Sequence, residues 1–411
     1  MSERRVAVTG AGIVSPIGTS LDEFYRALCD ARSGLRRLPE EVTRGSGVHV
    51  AAMIDWSPQP FLKEGEAANL DRATQFALAA AGQAIAAAGL DTKAAAPDRT
   101  GVYWGTGLGG SNTLEVAYKQ VYGANEWRLR PLTVVMAMNN AAGSNVAVRY
   151  GLKGKFANFA TACSSSAMAL GETMRTIQAG RADAMIAGGS EALLTPGTLA
   201  AWQALRTLAP IDAANPAASC KPFDKRRGGL VLGEGAAAFV LEEESSARAR
   251  GAPILAFLTG YGNSCDAVHM SRPDRDGQVR AMREALDEAR MQPGEIGYIN
   301  AHGTATAVGD VVESEAINVV FGDAATRVPV SSTKSLHGHL LGGAGALEFA
   351  AALLPLKQGW LPPTAWLEQP DPACRLRHVP LRAEQAAPPR AVMSNSFAFG
   401  GSNVVLIAER A

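Results

Sequence analysis

Asn158–Leu170 reads N-F-A-T-A-C-S-S-S-A-M-A-L. A short apolar run, Phe159–Ala162, enters Cys163, and after three serines come Ala167, Met168, Ala169 and Leu170, all good helix formers. The pattern predicts a buried strand, a tight corner and a helix whose first turn carries the cysteine. Free N–H groups and the positive dipole end of a helix favour a thiolate there, and thiolate is the nucleophilic form. Small neighbours (Ala162, Ser164, Ser165) leave a substrate room to approach the sulfur. A small buried cysteine filling a strand–helix corner has the same local signature, because free cysteine is among the most buried residue types. The histidines further along the chain separate the two readings.

The chain has 411 residues, 47% hydrophobic and 19% charged, enough for two or three average domains or two fused halves of a larger fold. Its 43 glycines exceed the usual share of roughly 7% and imply many tight turns and close backbone approaches. Lys+Arg and Asp+Glu are both 39, so nothing calls for nucleic acid or an anionic membrane surface, although a local basic cluster suits an acidic partner. The five cysteines (29, 163, 220, 265, 374) are scattered, without C-x-x-C. That argues against a disulfide scaffold or a structural zinc site and for a reducing, cytoplasmic setting. The start, Met1-Ser-Glu-Arg-Arg-Val, lacks the apolar core of a signal peptide, and no apolar run is long enough for a membrane span.

Along the chain, Arg5–Gly10 reads as a strand entering a glycine turn, Gly10-Ala-Gly12. The spacing fits a dinucleotide fingerprint poorly, because the third glycine falls at 18, with Pro16 between, so a structural turn is expected. Helices are expected over Leu21–Cys29, Asp71–Leu90 and within Pro131–Tyr150, and strands over Thr100–Thr106, Phe156–Thr161 and Ala184–Ala187. Gly229–Glu243 reads as a strand hairpin, and the charged segment Glu244–Arg250 marks a boundary. The second half restarts with a strand at Ile254–Thr259, a helix near Gln278–Arg290, and strands Ile296–Ala301 and Val328–Ser332. An apolar helix, Gly342–Leu356, precedes a final hairpin, Val392–Phe399 with Asn403–Glu409, which echoes Gly229–Glu243. Such repetition points to a duplicated βα unit of the α/β class, with halves 1–250 and 251–411.

Three polar stretches accompany Cys163: Asn300-Ala-His302-Gly-Thr304-Ala-Thr306, Ser331-Ser-Thr-Lys334-Ser-Leu-His-Gly-His339, and Ser394-Asn-Ser-Phe397-Ala-Phe399-Gly-Gly-Ser-Asn403. Each follows or joins strand ends, where open α/β sheets place their ligands. Together with T-A-C-S-S-S, the motifs N-A-H-G-T-A-T, K-S-x-x-G-H and F-G-G-S-N make the chain resemble, over essentially its whole length, the elongating β-ketoacyl-acyl-carrier-protein synthases of the thiolase superfamily.

The resemblance implies a thiolase-like fold, duplicated βα halves in five α-β-α-β-α layers, working as a homodimer or as a heterodimer with a related synthase. It implies Cys163 as acyl-accepting nucleophile, His302 and His339 as the paired histidines, and Lys334 as their companion, tuning them electrostatically or tying down their loop. Thr304 and Thr306 would hold the phosphopantetheine arm. Phe399 would gate the site, its N–H joining that of Cys163 in the oxyanion hole. The activity implied is decarboxylative Claisen condensation: an acyl group on Cys163 joins malonyl carrier protein, giving β-ketoacyl carrier protein and CO2. No metal and no resident cofactor are implied; the carrier protein brings the phosphopantetheine.

By the same resemblance Leu108 and Trp202 lie near the acyl tunnel. Arg128, Arg130 and Arg206, backed by Lys225–Arg227, are candidates for docking the acidic carrier, although charge runs are commonly just solvated faces. Three positions depart from the elongating pattern: His337 stands in place of threonine, Ala398 in place of glycine and Ser402 in place of threonine. They point to a specialised polyene or polyketide-type pathway beside the fatty acid one. A chain-length-setting partner of a heterodimer is the rival reading, opposed by Cys163. A degradative thiolase is opposed by His339 and by the lack of a second cysteine in the C-terminal turn.

Overall fold

The structure, a computed structural model, describes residues 4–59, 61–63 and 65–411; Met1–Glu3 of the start read for a targeting segment lie outside them. Val6–Val14 is a single strand, β1, buried throughout. The expected turn at Gly10–Gly12 is therefore absent. Both glycines lie inside the strand against helix Arg72–Ala88, where a side chain would collide with the carbonyls of Ala84 or Ala80. They serve close helix–strand packing, not a turn. The helix starts on Asp71, whose carboxylate accepts the Ala73 N–H, and ends at Gly89 with φ 59°.

Ten more strands complete an eleven-stranded mixed sheet. The first half adds β2 (Thr100–Gly105), β3 (Phe156–Phe159), β4 (Ala184–Glu191) and β5 (Gly235–Glu243). The second half has β6 (Ala256–Cys265), β7 (Ile296–Asn300), β8 (Pro329–Ser331), β9 (Arg377–His378), β10 (Ala391–Phe397) and β11 (Ser402–Glu409). In space the first half runs β3-β2-β4-β5-β1 and the second β8-β7-β10-β11-β6, with β9 added outside β8. The two sequences of strands have the same topology, so the repetition in the chain is a repetition of architecture. The halves join where β1 and β6 pair antiparallel over Val6–Val8 and Ala256–Leu258.

Helices Ser165–Gln178 and Ala344–Gln358 pack on each other and on both half-sheets, forming a middle layer. Ala344–Leu356 is buried on every face, as a helix enclosed from both sides must be. Arg72–Ala88 covers the outer face of one half-sheet and Arg275–Ala289 that of the other. The result is the α-β-α-β-α stack.

Gly229–Glu243 is not the expected hairpin. Only Gly235–Glu243 is strand, and its antiparallel partners are β4 and β1. Residues 230–233 instead approach as extended chain, bridging Leu208, His339 and Ala52. The echo between this run and the C-terminal hairpin is real at the level of strands. The tight turn between β10 and β11 is replaced in the first half by the long excursion 192–234, which carries Trp202 and Arg206 to the site. No helix among the described residues is long and apolar enough to cross a membrane.

Candidate active site

Cys163 lies one step earlier than the sequence suggested. It sits in the 3-10 turn Ala162–Ser164, immediately before helix Ser165–Gln178. Ala162 takes φ 52°, a conformation uncommon for a residue with a Cβ, and this reverses the chain sharply after β3. The serines hold that corner. Ser165 Oγ accepts the Thr161 N–H at 2.9 Å and donates to the Ala162 carbonyl at 2.7 Å. Ser164 Oγ donates to the Thr161 carbonyl at 2.9 Å, and Ser166 Oγ accepts the Ala346 N–H at 2.9 Å, tying the corner to the other middle helix.

The two histidines converge on the sulfur from the second half. His302 follows β7, and His339 follows the short helix Lys334–His337. Their rings stand 5.4 Å apart at 81°, and His339 Nε2 is 3.0 Å from Cys163 Sγ. One ring nitrogen of each histidine and the Cys163 sulfur all lie within 4.8 Å of one another. The partners of the outer nitrogens assign the tautomers. His339 Nδ1 accepts the Leu341 N–H at 3.3 Å, and His302 Nδ1 faces the Lys334 ammonium, which can only donate, at 3.3 Å. Each neutral ring therefore carries its proton on Nε2, directed into the chamber. In that state the pair offers N–H groups rather than the lone pairs a metal ion would need.

Burial and the Lys334 charge hold both imidazoles well below their ordinary range, so they are neutral. The Lys334 ammonium also donates to the His302 carbonyl at 2.6 Å and forms an ion pair with the fully buried Glu348. Burial pushes the Cys163 thiol up to about 12, with the Lys334 charge and the Phe399 N–H acting in the opposite direction. Desolvation, which spacing along the chain does not reveal, is the largest cause of this shift.

A cavity of about 390 Å³ reaches Cys163 and is lined by His302, His339, Thr304, Thr306, Phe399 and Arg206. Thr304 and Thr306 have their hydroxyls 3.0 Å apart. Trp202 stacks on Phe399, ring centroids 6.1 Å apart at 24°, and packs with Leu193, Leu199, Leu230 and Leu341 in the apolar group that contains Cys163. Leu108 lies outside the lining of this cavity with its side chain 47% exposed. Arg130 donates to the Ala68 carbonyl at 2.8 Å and borders a separate groove, and Arg128 is exposed. Arg226 and Arg227 are committed to ion pairs with Asp224 and Asp371.

Of the departures, Ser402 Oγ meets Ser164 Oγ at 2.9 Å and so braces the cysteine corner. Ala398 does not take a left-handed conformation; Gly400 and Gly401, at φ 84° and 77°, carry the bends of the gating loop. Sequence reasoning missed Glu313, which accepts the N–H groups of His302 at 2.8 Å and Gly303 at 2.7 Å and so fixes that loop. The available signal was an acid at helical spacing from Asp310, both fully enclosed in helix Gly309–Phe321.

Comparison with known proteins agrees along the chain. Residues 3–247 match the family described as beta-ketoacyl synthase, N-terminal domain, and residues 255–368 its C-terminal domain. A 3-oxoacyl-(acyl-carrier-protein) synthase 2 of Staphylococcus aureus is 39% identical over 410 residues, 99% of this chain and 98% of the relative. The protein of the same description from Coxiella burnetii is 38% identical over 413 residues, 100% and 99% of the two chains. Among solved structures, the ishigamide ketosynthase/chain length factor superposes with a TM-score of 0.93 at 35% identity, covering 100% of both chains. With its duplicated thiolase-like sheet and its Cys163–His302–His339 cluster, the chain belongs to the β-ketoacyl synthase family.

Proposed function

We propose that this enzyme condenses an acyl group, held on Cys163, with malonyl carrier protein to give β-ketoacyl carrier protein and CO2. The observation that carries the reading is the pair of neutral imidazoles gathered with one sulfur in a buried chamber, the His339 Nε2 standing 3.0 Å from it. A cysteine protease or hydrolase needs a histidine that accepts the thiol proton; these rings are arranged to donate.

Cys163 Sγ attacks the acyl thioester, the N–H groups of Cys163 and Phe399 receive the oxyanion, and the thiol's proton ends on the departing phosphopantetheine sulfur. Malonyl carrier then enters past Thr304 and Thr306. Loss of CO2 leaves an enolate whose oxygen takes the Nε2–H groups of His302 and His339. The enolate carbon attacks the acyl carbonyl, the C–S bond to Cys163 breaks, and a solvent proton restores the thiol. Lys334 acts as a positioning residue, fixing the His302 tautomer and keeping both rings neutral. The phosphopantetheine belongs to the carrier substrates, so no resident cofactor is required. Five unpaired cysteines, one of them exposed, support a cytoplasmic setting.

Retention of Cys163 favours the catalytic member over a chain-length-setting partner. β3 is the edge strand of its half, and Tyr122, Trp127, Val134 and Val135 are exposed on the surface; both observations support contact with a second chain, a copy of this one in the first instance. Mass spectrometry of Cys163 after incubation with a panel of acyl carriers, followed by addition of malonyl carrier, tests the reading. An acyl adduct that resolves to β-ketoacyl carrier with release of CO2 is expected. An unmodified cysteine with every carrier overturns it.

A further inference from the structure

We infer that His337 is a positioning residue for decarboxylation: its ring staples the turn that delivers His339 to the strand end that delivers His302. The inference rests on the ketosynthase reading above. His337 is fully buried at the end of the short helix Lys334–His337. Its Nδ1 lies 2.8 Å from the Gly338 carbonyl, which can only accept, so the ring proton sits there. Its Nε2 then accepts the Thr333 hydroxyl at 2.9 Å. Thr333 Oγ1 in turn accepts from Asn300 Nδ2 at 3.2 Å, and Asn300 ends β7, two residues before His302.

The Gly338–His339 peptide is consequently held from both sides. The His337 ring bonds its carbonyl, and its N–H donates to the Val231 carbonyl at 2.7 Å. Fixing that peptide plane fixes where the His339 ring begins. Burial and the Lys334 charge push His337 down to about 3, so the staple keeps one protonation state across the working range. The imidazole sets a donor and an acceptor on opposite sides of one rigid ring, and so joins the Gly338 carbonyl to the Thr333 hydroxyl.

The test uses full-length enzyme and the substitutions His337→Asn, His337→Gln and His337→Phe. Asparagine places an amide nitrogen where Nδ1 stands and keeps the Gly338 bond. Glutamine reaches Thr333 only, and phenylalanine fills the volume with neither bond. Two half-reactions are measured: acylation of Cys163 by acyl carrier, and CO2 release from malonyl carrier. The expected result is CO2 release reduced about tenfold or more in the Phe variant, which keeps neither bond, and by a smaller factor in Asn and Gln, which keep one each, with acylation held within about threefold in all three. Equal losses in both half-reactions, an unimpaired Phe variant, or Asn and Gln variants at the wild-type rate would each overturn the inference. If the Phe variant does not fold, the loss of CO2 release relative to acylation in Asn and Gln decides by the same criterion. Wild-type enzyme that performs neither half-reaction refutes the functional reading itself, an outcome separate from the variant pattern.

Discussion

His339 Nε2 stands 3.0 Å from Cys163 Sγ while its Nδ1 takes the Leu341 N–H at 3.3 Å. The sulfur therefore faces a donor, yet burial pushes the thiol up to about 12. The resting enzyme holds a thiol, and its thiolate fraction grows with pH throughout the neutral range. Iodoacetamide labelling of Cys163, followed by mass spectrometry, should speed up about tenfold per pH unit between pH 6 and 9. A plateau near neutrality would mean that the surrounding N–H groups and the helix end outweigh desolvation after all.

Two neutral imidazoles imply a second pH signature. Both pKa values lie below the ordinary imidazole value of about 6.5, so protonation and loss of the acceptor at Nδ1 come only at lower pH. CO2 release from malonyl carrier should show no decline as pH falls from 7.5 to 6. A midpoint in the ordinary histidine range would contradict the assignment. His302→Ala and His339→Ala should each cut CO2 release by roughly 100-fold or more, the scale for removing one oxyanion donor, while Cys163 still acylates.

The fold was legible because β-strand ends and helices repeat in both halves, and because strongly periodic elements such as Arg72–Ala88 carry their own caps. The errors came where tertiary context overrides local pattern. Gly10 and Gly12 look like a turn but are a landing strip for a helix, and Gly229–Glu243 looks like a hairpin because its true partners, β4 and β1, lie far back in the chain. Within the site, Cys163, His302, Lys334 and His339 could be picked out from motifs alone. Their geometry could not: the tautomers depend on Leu341 N–H and Lys334, and the thiol's state depends on burial, neither of which spacing encodes. Glu313 and Glu348 were missed because a buried acid on an apolar helix is recognisable only once its partners are known.

Trp202 lies flat against Phe399, whose N–H faces the sulfur. One indole thus both fills the apolar group around Cys163 and braces the gate. Trp202→Ala should move the preferred acyl chain to greater length and raise the rate of Cys163 acylation relative to condensation. Trp202→Phe should preserve both, because an aromatic stack remains. Product profiles from a series of saturated acyl carriers measure the shift. An unchanged length preference in the alanine variant would remove Trp202 from the tunnel wall.

Arg206 borders the cavity that leads to Cys163, whereas Arg130 borders a different groove. An acidic carrier seated over this cavity therefore has Arg206 among the cations it can meet, with Arg272. Arg206→Ala should raise KM for acyl carrier several-fold with little change in kcat, and added salt should raise the wild-type KM in the same direction. Arg130→Ala should have a smaller effect on KM if each chain acts alone, and a comparable one if a second chain brings that groove beside the mouth. A KM insensitive to both salt and Arg206→Ala would exclude this docking route.

The remaining prediction concerns the open edge of the sheet. β3 is the last strand of its half, and Phe156 at its start is 44% exposed. Elsewhere on the surface Tyr122, Trp127, Val134 and Val135 are 77%, 71%, 65% and 56% exposed, and Tyr122 meets Trp127 edge-on with centroids 6.3 Å apart. Single exposed apolar side chains are ordinary, but an exposed aromatic pair followed by two exposed valines in one short stretch of chain has the composition of an interface core. An unpaired edge also invites strand addition unless it is covered. Analytical ultracentrifugation of wild-type enzyme should give a dimer. Val134→Asp combined with Val135→Asp should shift it toward monomer, because covering these side chains in a dimer would then desolvate two charges. A wild-type monomer, or a double variant that dimerises as tightly as wild type, would mean that this face is covered by something other than a second copy.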